Sequence, residues 1–367
     1  MKALSLTDRF DPVVPGEDGY IYEALTTGLN GRSKIIRDYE RNLGEHFKAR
    51  HAIAVSSGFG ALVVALKSLG LEPGDRVLLT PTCPLCTAYA LTFLRLEPVF
   101  CDIRSNDFTI DLDHAERRID NRTRAIIDIP MWGYPVDALS VSNFARKRDL
   151  HYILDVALAH RAELNGKLLW SYADLATFST HTSKNLVTGE GGAVLTNNSM
   201  LAARALRFTS PGEEQDSEPV LNYSLGGLQG ALGLARLARF ESDTDRRLQN
   251  MSLIEDSLDN PYLEVLPVID RGVPGGAKLI VRETTGNNIA LLAHQTRGGV
   301  PSDIAIYNCK PLYRYPVFSS RAEPCPNAEA MLSSITTIPV HPDIDAPAIS
   351  QIVKVLNTYR PALKREI

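Results

Sequence analysis

Short apolar runs rich in β-branched residues alternate with helix-like stretches between about residues 51 and 197. Five of these runs have the length and composition of buried strands. They are His51–Ser56, Arg76–Thr80, Pro98–Asp102, Arg124–Ile129 and Tyr152–Asp155. Alternation of this kind is typical of βα units, which build a mostly parallel sheet with helices on both faces.

Two more strands are predicted at Leu175–Ser179 and Gly192–Thr196. The chain between them is too short for the crossover helix that a parallel pair requires. The pattern therefore predicts a seven-stranded sheet that is mostly parallel but carries an antiparallel member at this point.

Helical spacing of apolar positions predicts a helix at Gly58–Gly70, directly after the first strand. A second helical pattern, Leu228–Phe240, runs into the charged stretch Glu241–Arg247 and predicts one long helix. A smaller unit is expected beyond about residue 248. Its predicted elements are strands at Leu279–Val281 and Asn288–Leu292 and a final amphipathic helix at Ala346–Tyr359.

The length of 367 residues exceeds the size at which a single core stops growing, so two structural units are expected. The predicted fold is of the α/β class: a large domain with a mostly parallel seven-stranded sheet flanked by helices, plus a smaller C-terminal α/β domain. The predicted boundaries are an N-terminal segment at 1–45, the large domain at 46–245 and the small domain at 246–367.

Composition argues against two classes of function. Hydrophobic residues are 44% of the chain, charged residues are 22%, and the formal net charge is −4, so there is no broad basic surface for nucleic acid. No apolar stretch approaches the roughly 20 residues that span a bilayer, and residues 1–10 lack the apolar centre of a signal peptide. We therefore expect a cytoplasmic protein without membrane or nucleic-acid partners.

The chain has five cysteines, an odd number that does not suit a disulfide framework. Cys83 and Cys86 have the spacing of a redox or zinc motif, but there is no second pair to complete a zinc site. We expect these two residues to line a pocket wall, and no metal site is predicted.

Lys184 and Asp155 suggest a pyridoxal phosphate (PLP) enzyme. Lys184 lies in the run Ser179–Gly192, and Asp155 ends a predicted strand. PLP chemistry requires a lysine amine that holds the cofactor aldehyde as a Schiff base, and a carboxylate that keeps the pyridine nitrogen protonated. Taken alone, these residues would be an ordinary surface lysine and a strand-terminal Asp, but their joint context favours the cofactor.

The predicted helix Gly58–Gly70 begins with small residues. Such a helix presents free backbone N–H groups and the positive end of its dipole to an anion, although close packing on a sheet would select the same residues. In open α/β sheets, ligands gather beyond the carboxyl ends of the strands, where Asp155 and Lys184 are also expected. The phosphate of PLP is therefore the expected occupant of this helix start.

A series of short motifs in fixed order covers nearly the whole chain. They are Gly31, Ser57–Leu62, Leu71–Val77, Pro98–Asp102, Thr123–Ile126, Gly133–Asp137, Asp155–His160, Ser179–Gly192, Asn222–Tyr223 and Ile338–Pro342. In this series the chain resembles the DegT/StrS family of PLP-dependent sugar aminotransferases. The resemblance implies the fold-type I aspartate aminotransferase architecture.

The resemblance also implies roles for individual residues. Lys184 would be the Schiff-base lysine, and Asp155 would pair with the pyridine nitrogen. The phosphate would be held by Ser179 and by the backbone of residues 58–60. The implied cofactor-binding residues are Gly58, Phe59, Gly60, Leu85, Asp155, Ala157, Ser179, Lys184 and Asn222.

Two further residues have open alternatives. In the family, an Asn at the position of Asn222 reaches the phosphate of the neighbouring subunit, which implies a homodimer with shared active sites. The alternative is a loop Asn that bonds its own backbone. His181 would meet substrate, or it would be an ordinary histidine of the pocket wall.

Three positions depart from the family pattern. The family usually places a Thr where Phe59 stands, an aromatic ring that stacks on the pyridine where Leu85 stands, and a Gln where Leu158 stands. Phe59 still offers its backbone N–H, but Leu85 has no π face and Leu158 has no hydrogen-bond donor. These changes predict a more apolar pocket, in which the cofactor is held mainly through its phosphate, Lys184 and Asp155.

The leading hypothesis is a PLP-dependent aminotransferase. It would move an amino group from glutamate or a similar donor to a ketone or aldehyde of a sugar, cyclitol or other natural-product intermediate. A first alternative keeps the cofactor but performs elimination, replacement or carbon–carbon bond formation on an amino acid. A second alternative is a non-catalytic binding or regulatory protein that retains the fold.

Overall fold

A computed structural model of the chain describes residues 6–7, 9–11, 13–209, 221–321 and 323–361. The first five residues, which contributed to the expectation of no signal peptide, lie outside the described residues. The strands are β1 (His51–Val55), β2 (Arg76–Leu79), β3 (Glu97–Phe100), β4 (Thr123–Asp128), β5 (His151–Asp155), β6 (Glu163–Leu164), β7 (Lys167–Leu168), β8 (Leu175–Ser179), β9 (Gly192–Thr196), β10 (Leu263–Val265), β11 (Gly272–Val273), β12 (Lys278–Glu283) and β13 (Ile335–Pro339).

The α-helices surround these strands. They are α1 (Glu17–Thr27), α2 (Lys34–His46), α3 (Gly58–Ser68), α4 (Leu85–Phe93), α5 (Leu112–Arg118), α6 (Ala138–Lys147), α7 (Ser199–Arg207), α8 (Gly227–Leu237), α9 (Phe240–Asp256), α10 (Ile289–Arg297), α11 (Asp303–Ile306), α12 (Pro326–Ser334) and α13 (Ala346–Thr358). Short 3₁₀ turns occur at Met131–Gly133, Leu169–Tyr172, Leu312–Arg314 and Pro316–Arg321.

The central sheet has seven strands in the order β1-β9-β8-β5-β4-β2-β3. Strand β9 runs antiparallel to both of its neighbours, and the other pairs in this sheet are parallel. All seven predicted strands are present, with ends within two residues of the predicted ones. The mostly parallel sheet with an antiparallel member is therefore confirmed.

One helix prediction and one strand prediction were wrong in detail. The long helix expected through Leu228–Arg247 is broken between α8 and α9, where the Arg239 N–H bonds the Arg236 carbonyl three residues back at 3.1 Å and tightens the backbone. The strand expected at Asn288–Leu292 is the start of α10. Its apolar run was too short to separate strand from helix, and the buried pair Leu291 and Gln295 has the four-residue spacing of a helix.

The C-terminal third contains a three-stranded antiparallel sheet, β10-β12-β13. It is tied to the central sheet by Asp102, which follows β3. The Asp102 carboxylate accepts the backbone N–H groups of Asn327 at 3.0 Å and Ala328 at 2.8 Å, and so caps the start of α12. The boundaries 1–45, 46–245 and 246–367 stay a prediction.

Among the described residues, no helix is both long enough and apolar enough to span a bilayer.

Helix α2 is fixed to the edge strand β1 by a half-buried carboxyl group. Glu40 accepts the Ala54 N–H at 2.9 Å, and burial raises its pKa from 4.5 to about 7. Because the folded-state pKa is raised, the protonated group stabilises the fold fully below about pH 4.5, and this contribution is lost as the pH rises through 7. The loss is about 1 to 3 kcal/mol, since one pKa unit corresponds to about 1.4 kcal/mol and the group is partly solvated.

We expect Glu40→Gln to remove this pH dependence, because the amide oxygen can still accept the Ala54 N–H but does not ionise. Urea unfolding at pH 5 and pH 8 measures it: the variant should gain stability over the wild type at pH 8 and not at pH 5. Glu45→Gln, at an exposed position of the same helix, is the control. An equal effect of Glu40→Gln at both pH values would contradict the prediction.

Candidate active site

The loop between β8 and β9 carries Lys184 and folds back on itself. The hydroxyls of Thr180 and Thr188 lie 2.6 Å apart, and the Thr188 N–H donates to the Thr180 carbonyl at 2.7 Å. Gly191 has a φ of 150°, and a Cβ there would lie 2.5 Å from Thr180 Oγ1, so a larger residue does not fit. This folding holds Lys184 beyond the carboxyl end of β8.

Lys184 is half-buried, and burial is the main cause that lowers its pKa from the ordinary lysine value. The nearby carboxylates of Asp155 and Asp303 raise the pKa, whereas the ammonium of Lys278 lowers it further. A lysine with a lowered pKa has a larger uncharged fraction near neutral pH. Its nitrogen can then act as a nucleophile and as a base.

Asp155 ends β5, the strand that pairs with β8 in the middle of the central sheet. Its carboxylate is buried and accepts the Ala157 N–H at 3.2 Å and the Thr87 hydroxyl at 3.1 Å. Burial raises the pKa of Asp155, and the charge of Lys184 together with these hydrogen bonds opposes that rise. The group is thus a fixed hydrogen-bond acceptor beside Lys184.

The start of α3 meets the end of β8. A Cβ on Gly58 would lie 2.6 Å from the Cβ of Ser179, so the helix can approach the strand this closely only with glycine. Ser57 caps the helix by accepting the Gly60 N–H at 2.9 Å, which leaves the N–H groups of Gly58 and Phe59 at the open end. Gly60 itself packs against the ring of Tyr223.

These groups fit the three ends of PLP. N–H groups at a helix start that make no hydrogen bond within the described residues suit a phosphate, as does the Ser179 hydroxyl. A buried carboxylate suits a protonated pyridine nitrogen, and an amine with a lowered pKa suits the aldehyde. Strands β5 and β8 are neighbours, and α3 abuts the end of β8. The groups expected to bind the cofactor therefore lie together at one edge of the sheet.

Asn222 and His181 make local contacts. The Asn222 side-chain oxygen accepts the N–H of Ser224 at 3.2 Å and its hydroxyl at 2.5 Å, which is the local bonding expected of a loop Asn. Its amide nitrogen makes no hydrogen bond within the described part of the chain. His181 Nδ1 lies 3.1 Å from the Ser183 hydroxyl, and Nε2 lies 3.8 Å from Glu190. Both residues are open to solvent, and their proposed roles stay predictions.

Comparison with known proteins identifies the family. The model of the DegT/DnrJ/EryC1/StrS aminotransferase family matches residues 16–357. The chain belongs to this family. Aminotransferases of the DegT/DnrJ/EryC1/StrS family depend on PLP, so membership assigns this cofactor and an aminotransferase activity to the chain.

Curated relatives are named as enzymes of amino-sugar synthesis, and a solved structure shares the fold. The chain is 31% identical to a GDP-perosamine synthase of Caulobacter vibrioides, over 68% of this chain and 70% of that one. It is 26% identical to a dTDP-3-amino-3,4,6-trideoxy-alpha-D-glucose transaminase of Streptomyces venezuelae, over 99% and 96%. Its fold is similar to that of the Helicobacter pylori aminotransferase PseC, with a TM-score of 0.87, 24% identity and coverage of 96% and 98%.

The structure shows what surrounds the three residues that depart from the DegT/DnrJ/EryC1/StrS pattern. The Phe59 ring packs edge-on against Phe93 of α4, with centroids 6.0 Å apart, so its side chain serves helix packing. Leu85 begins α4 and is half-buried, two residues before the Thr87 that bonds Asp155. Leu158 is also half-buried, in the segment that follows β5. The more apolar pocket expected from these three residues stays a prediction.

Sequence reasoning missed several residues of the site. Thr87 could have been suspected from its place at the start of α4, but its contact with Asp155 crosses 68 positions of chain. Trp132, Lys278 and Asp303 form a buried polar group: the Trp132 indole N–H donates to Asp303 at 3.0 Å, and Lys278 Nζ lies 3.3 Å from the other Asp303 oxygen. No motif in the sequence indicated this group.

Proposed function

We propose that the protein is a PLP-dependent aminotransferase that moves an amino group from glutamate or a similar donor to the keto or aldehyde group of a sugar, cyclitol or other natural-product intermediate. The observation that carries the proposal is the pairing of Lys184 with Asp155 at the carboxyl edge of the sheet, beside the open start of α3. Family membership supports the same reaction.

Bound PLP supplies an electron sink that stabilises negative charge at the donor α-carbon. Asp155 would hold the proton on the pyridine nitrogen, and the Ala157 and Thr87 donors keep its carboxylate in place. The N–H groups at residues 58–59 and the Ser179 hydroxyl would bind the phosphate. Lys184 Nζ, with its lowered pKa, would take the proton from the donor α-carbon and return it during transfer.

A keto sugar is the favoured acceptor. The relatives from Caulobacter vibrioides and Streptomyces venezuelae are named for a GDP-linked and a dTDP-linked amino sugar, respectively. These names also favour transamination over the elimination, replacement or carbon–carbon bond-forming alternative. The intact Lys184 and Asp155 speak against a non-catalytic scaffold, because binding alone would not require an amine and a carboxylate at these two places.

The test separates the two half-reactions. Purified PLP-loaded protein is mixed with L-glutamate, and we expect the yellow absorbance to disappear as one 2-oxoglutarate forms per site. The product is then mixed with dTDP-, GDP- and UDP-linked keto sugars and with an inosose, and the amine is detected by mass spectrometry. Unchanged absorbance with glutamate and with alanine, or release of ammonia while the PLP absorbance is retained, would overturn the proposal.

We also propose a homodimer with shared active sites. Tyr22 and Leu25 project from α1 and are 70% and 59% exposed, while Leu29 just after α1 and Leu228 at the start of α8 are 45% and 40% exposed. Leu29 is joined to α8 through the Gly227 N–H at 2.8 Å. An apolar patch of this kind on a globular protein favours a second copy as its cover.

The patch adjoins the segment that carries Asn222. Gly31, two residues after Leu29, lies so close to Ser224 that a Cβ on the glycine would be 2.3 Å from the Ser224 Cβ. A second copy seated on the patch would therefore approach Asn222, whose amide nitrogen makes no hydrogen bond within the described residues of its own chain. This placement supports an Asn222 that serves the partner's site.

We expect hybrid dimers to regain activity. In a dimer of one Lys184→Ala subunit and one Asn222→Ala subunit, shared sites would leave one site with both residues intact, so activity should reach about half that of the wild type. Coexpression with two affinity tags isolates the hybrid, and light scattering measures the mass. If each site uses its own Asn222, the hybrid will have no more activity than half that of the Asn222→Ala homodimer.

A cytoplasmic location completes the proposal. All five cysteines are free thiols, which suits a reducing compartment.

Cys83 is buried two residues before the start of α4, whereas Cys86 is exposed near Asp155 and Lys184.

A further inference from the structure

Trp132 has an unusual backbone conformation at the edge of the site. Its φ is 52° and its ψ is 19°, in the left-handed region that bulky residues avoid. The turn follows β4, whose neighbour β5 ends at Asp155. Strained residues of this kind persist where the surroundings hold them, and they cluster at functional sites. Here the strained turn aims the buried indole N–H at Asp303.

Asp303 is held from three sides. One carboxylate oxygen accepts the Trp132 indole N–H at 3.0 Å, and the other lies 3.3 Å from Lys278 Nζ. Its backbone N–H donates to the Thr337 hydroxyl at 2.8 Å. The side chains of Lys278 and Asp303 are only 10% and 11% exposed. The attraction between the two buried charges offsets only part of the free energy needed to remove them from water. A contribution to stability therefore does not by itself explain the pair.

A chain of contacts connects this pair to Lys184. Asn185, the next residue, donates its side-chain N–H to the Gly275 carbonyl at 2.7 Å, and the Gly275 N–H donates to the Gly133 carbonyl at 2.8 Å. Gly133 in turn packs closely against Ala277, the residue that precedes Lys278. A Cβ on Gly133 would lie 3.1 Å from the Ala277 nitrogen and 3.0 Å from the Leu158 carbonyl. Both charges are also close enough to act on Lys184, in opposite directions.

The pair has the chemistry that recognises a hydroxyl group. An ammonium donates three hydrogen bonds and a carboxylate accepts several, whereas a hydroxyl both donates and accepts. Lys278 and Asp303 offer a donor and an acceptor side by side, with no net charge, and the Trp132 indole N–H bonds the carboxylate. Such a site favours a hydroxyl group of the ligand over a carboxylate group at this point, because a carboxylate would be repelled by Asp303.

We propose that Lys278 and Asp303, held by Trp132, bind a hydroxyl group of the acceptor and thereby turn its carbonyl towards Lys184. The proposal rests on the proposed function and adds the residues that bind the hydroxylated ring of the acceptor. The acceptor half-reaction depends on this hydroxyl-binding pair more strongly than the glutamate half-reaction does, and PLP binding does not depend on it.

The test measures both half-reactions in Lys278→Met, Asp303→Asn and Trp132→Phe. The acceptor is the keto sugar or inosose of the panel above that the wild type aminates best. We expect the acceptor KM to rise roughly 10- to 100-fold in the first two variants and less in Trp132→Phe, since hydrogen bonds to charged groups carry the binding. The PLP dissociation constant, measured by fluorescence, should stay within about threefold of the wild type. The rate with glutamate should change less than the acceptor KM and is measured over a range of pH, because each single variant removes one of two opposing charges near Lys184.

Arg282→Met is the matched control. Arg282 lies on the same strand β12 and pairs with Glu264 at the same distance of 3.3 Å, but this pair is more exposed and lies four residues further along. The control should leave both half-reactions unchanged. The double variant Lys278→Met/Asp303→Asn should be no weaker in acceptor binding than the worse single variant, because the two residues act as a unit.

Two results would overturn the hydroxyl-binding pair. The first is an unchanged acceptor KM in Lys278→Met and Asp303→Asn, with the wild type aminating its acceptor. The second is an equal loss in both half-reactions together with a lowered melting temperature, which marks a structural role. If a methionine at position 278 prevents folding, Lys278→Gln gives the same comparison. A wild type that ignores glutamate and every acceptor instead defeats the proposed function itself.

Discussion

Lys184→Ala should abolish transamination, with a loss of at least about 10⁴-fold, because the variant loses both the amine that holds the aldehyde and the base that moves the proton. After borohydride reduction, wild-type protein should carry PLP covalently on the peptide that contains residue 184. The variant should carry none there. Mass spectrometry of the digested protein measures both.

The control for this experiment is Lys310→Ala. Lys310 lies over the ring of Tyr315, with its Nζ 4.4 Å from the ring centroid. It should retain the covalent label and the activity. A Lys184→Ala protein that still fixes PLP at another lysine and still transaminates would contradict the assignment of Lys184.

Asp155→Asn is expected to lower transamination by roughly 10²- to 10⁴-fold. The amide oxygen can still accept the Ala157 N–H, so the local structure should survive. The neutral side chain no longer favours a protonated pyridine nitrogen, and the cofactor then withdraws electrons less strongly. Rates of the glutamate half-reaction, followed by absorbance in a stopped-flow instrument, measure the effect.

Asp128→Asn provides a matched control for Asp155. Asp128 ends the neighbouring strand β4 and is also fully buried, but its pKa is raised to about 8 by burial. The acid is therefore largely neutral at pH 7, and an amide is a close substitute for it. The half-reaction should change by less than about threefold. Similar losses in both variants would indicate a general effect of buried polar groups instead of a role for Asp155.

The sheet was predictable because its strands are buried on both faces and read as apolar runs. The same reasoning placed Asp155 and Lys184 at one edge, since residues that follow neighbouring strands of a parallel sheet meet there. The start of α10 was not predictable, because the run Ile289–Leu292 suits a strand as well as a helix. Only its packing, with Leu291 inside and Ile289 72% exposed, decides between them.

The hydroxyl-binding pair could not have been found from the sequence. The contact between Trp132 and Asp303 spans 171 positions, and neither residue stands in a motif that indicates the other. The local bonding of Asn222 was likewise open, because the same Asn can bond its own loop or a partner subunit. Such pairings depend on how distant segments pack, which periodicity does not report.

The cap that Asp102 places on α12 affects how the site matures during synthesis. Asp102 and Ala328 are separated by 226 positions, and Asn185 and Gly275 by 90. When β9 has just emerged from the ribosome, the nascent chain already contains all seven strands of the central sheet. It still lacks the partners of Asp102 and Asn185. Contacts of such long range close late in folding. Ribosome-bound intermediates should therefore have an assembled sheet and an unfinished cofactor pocket.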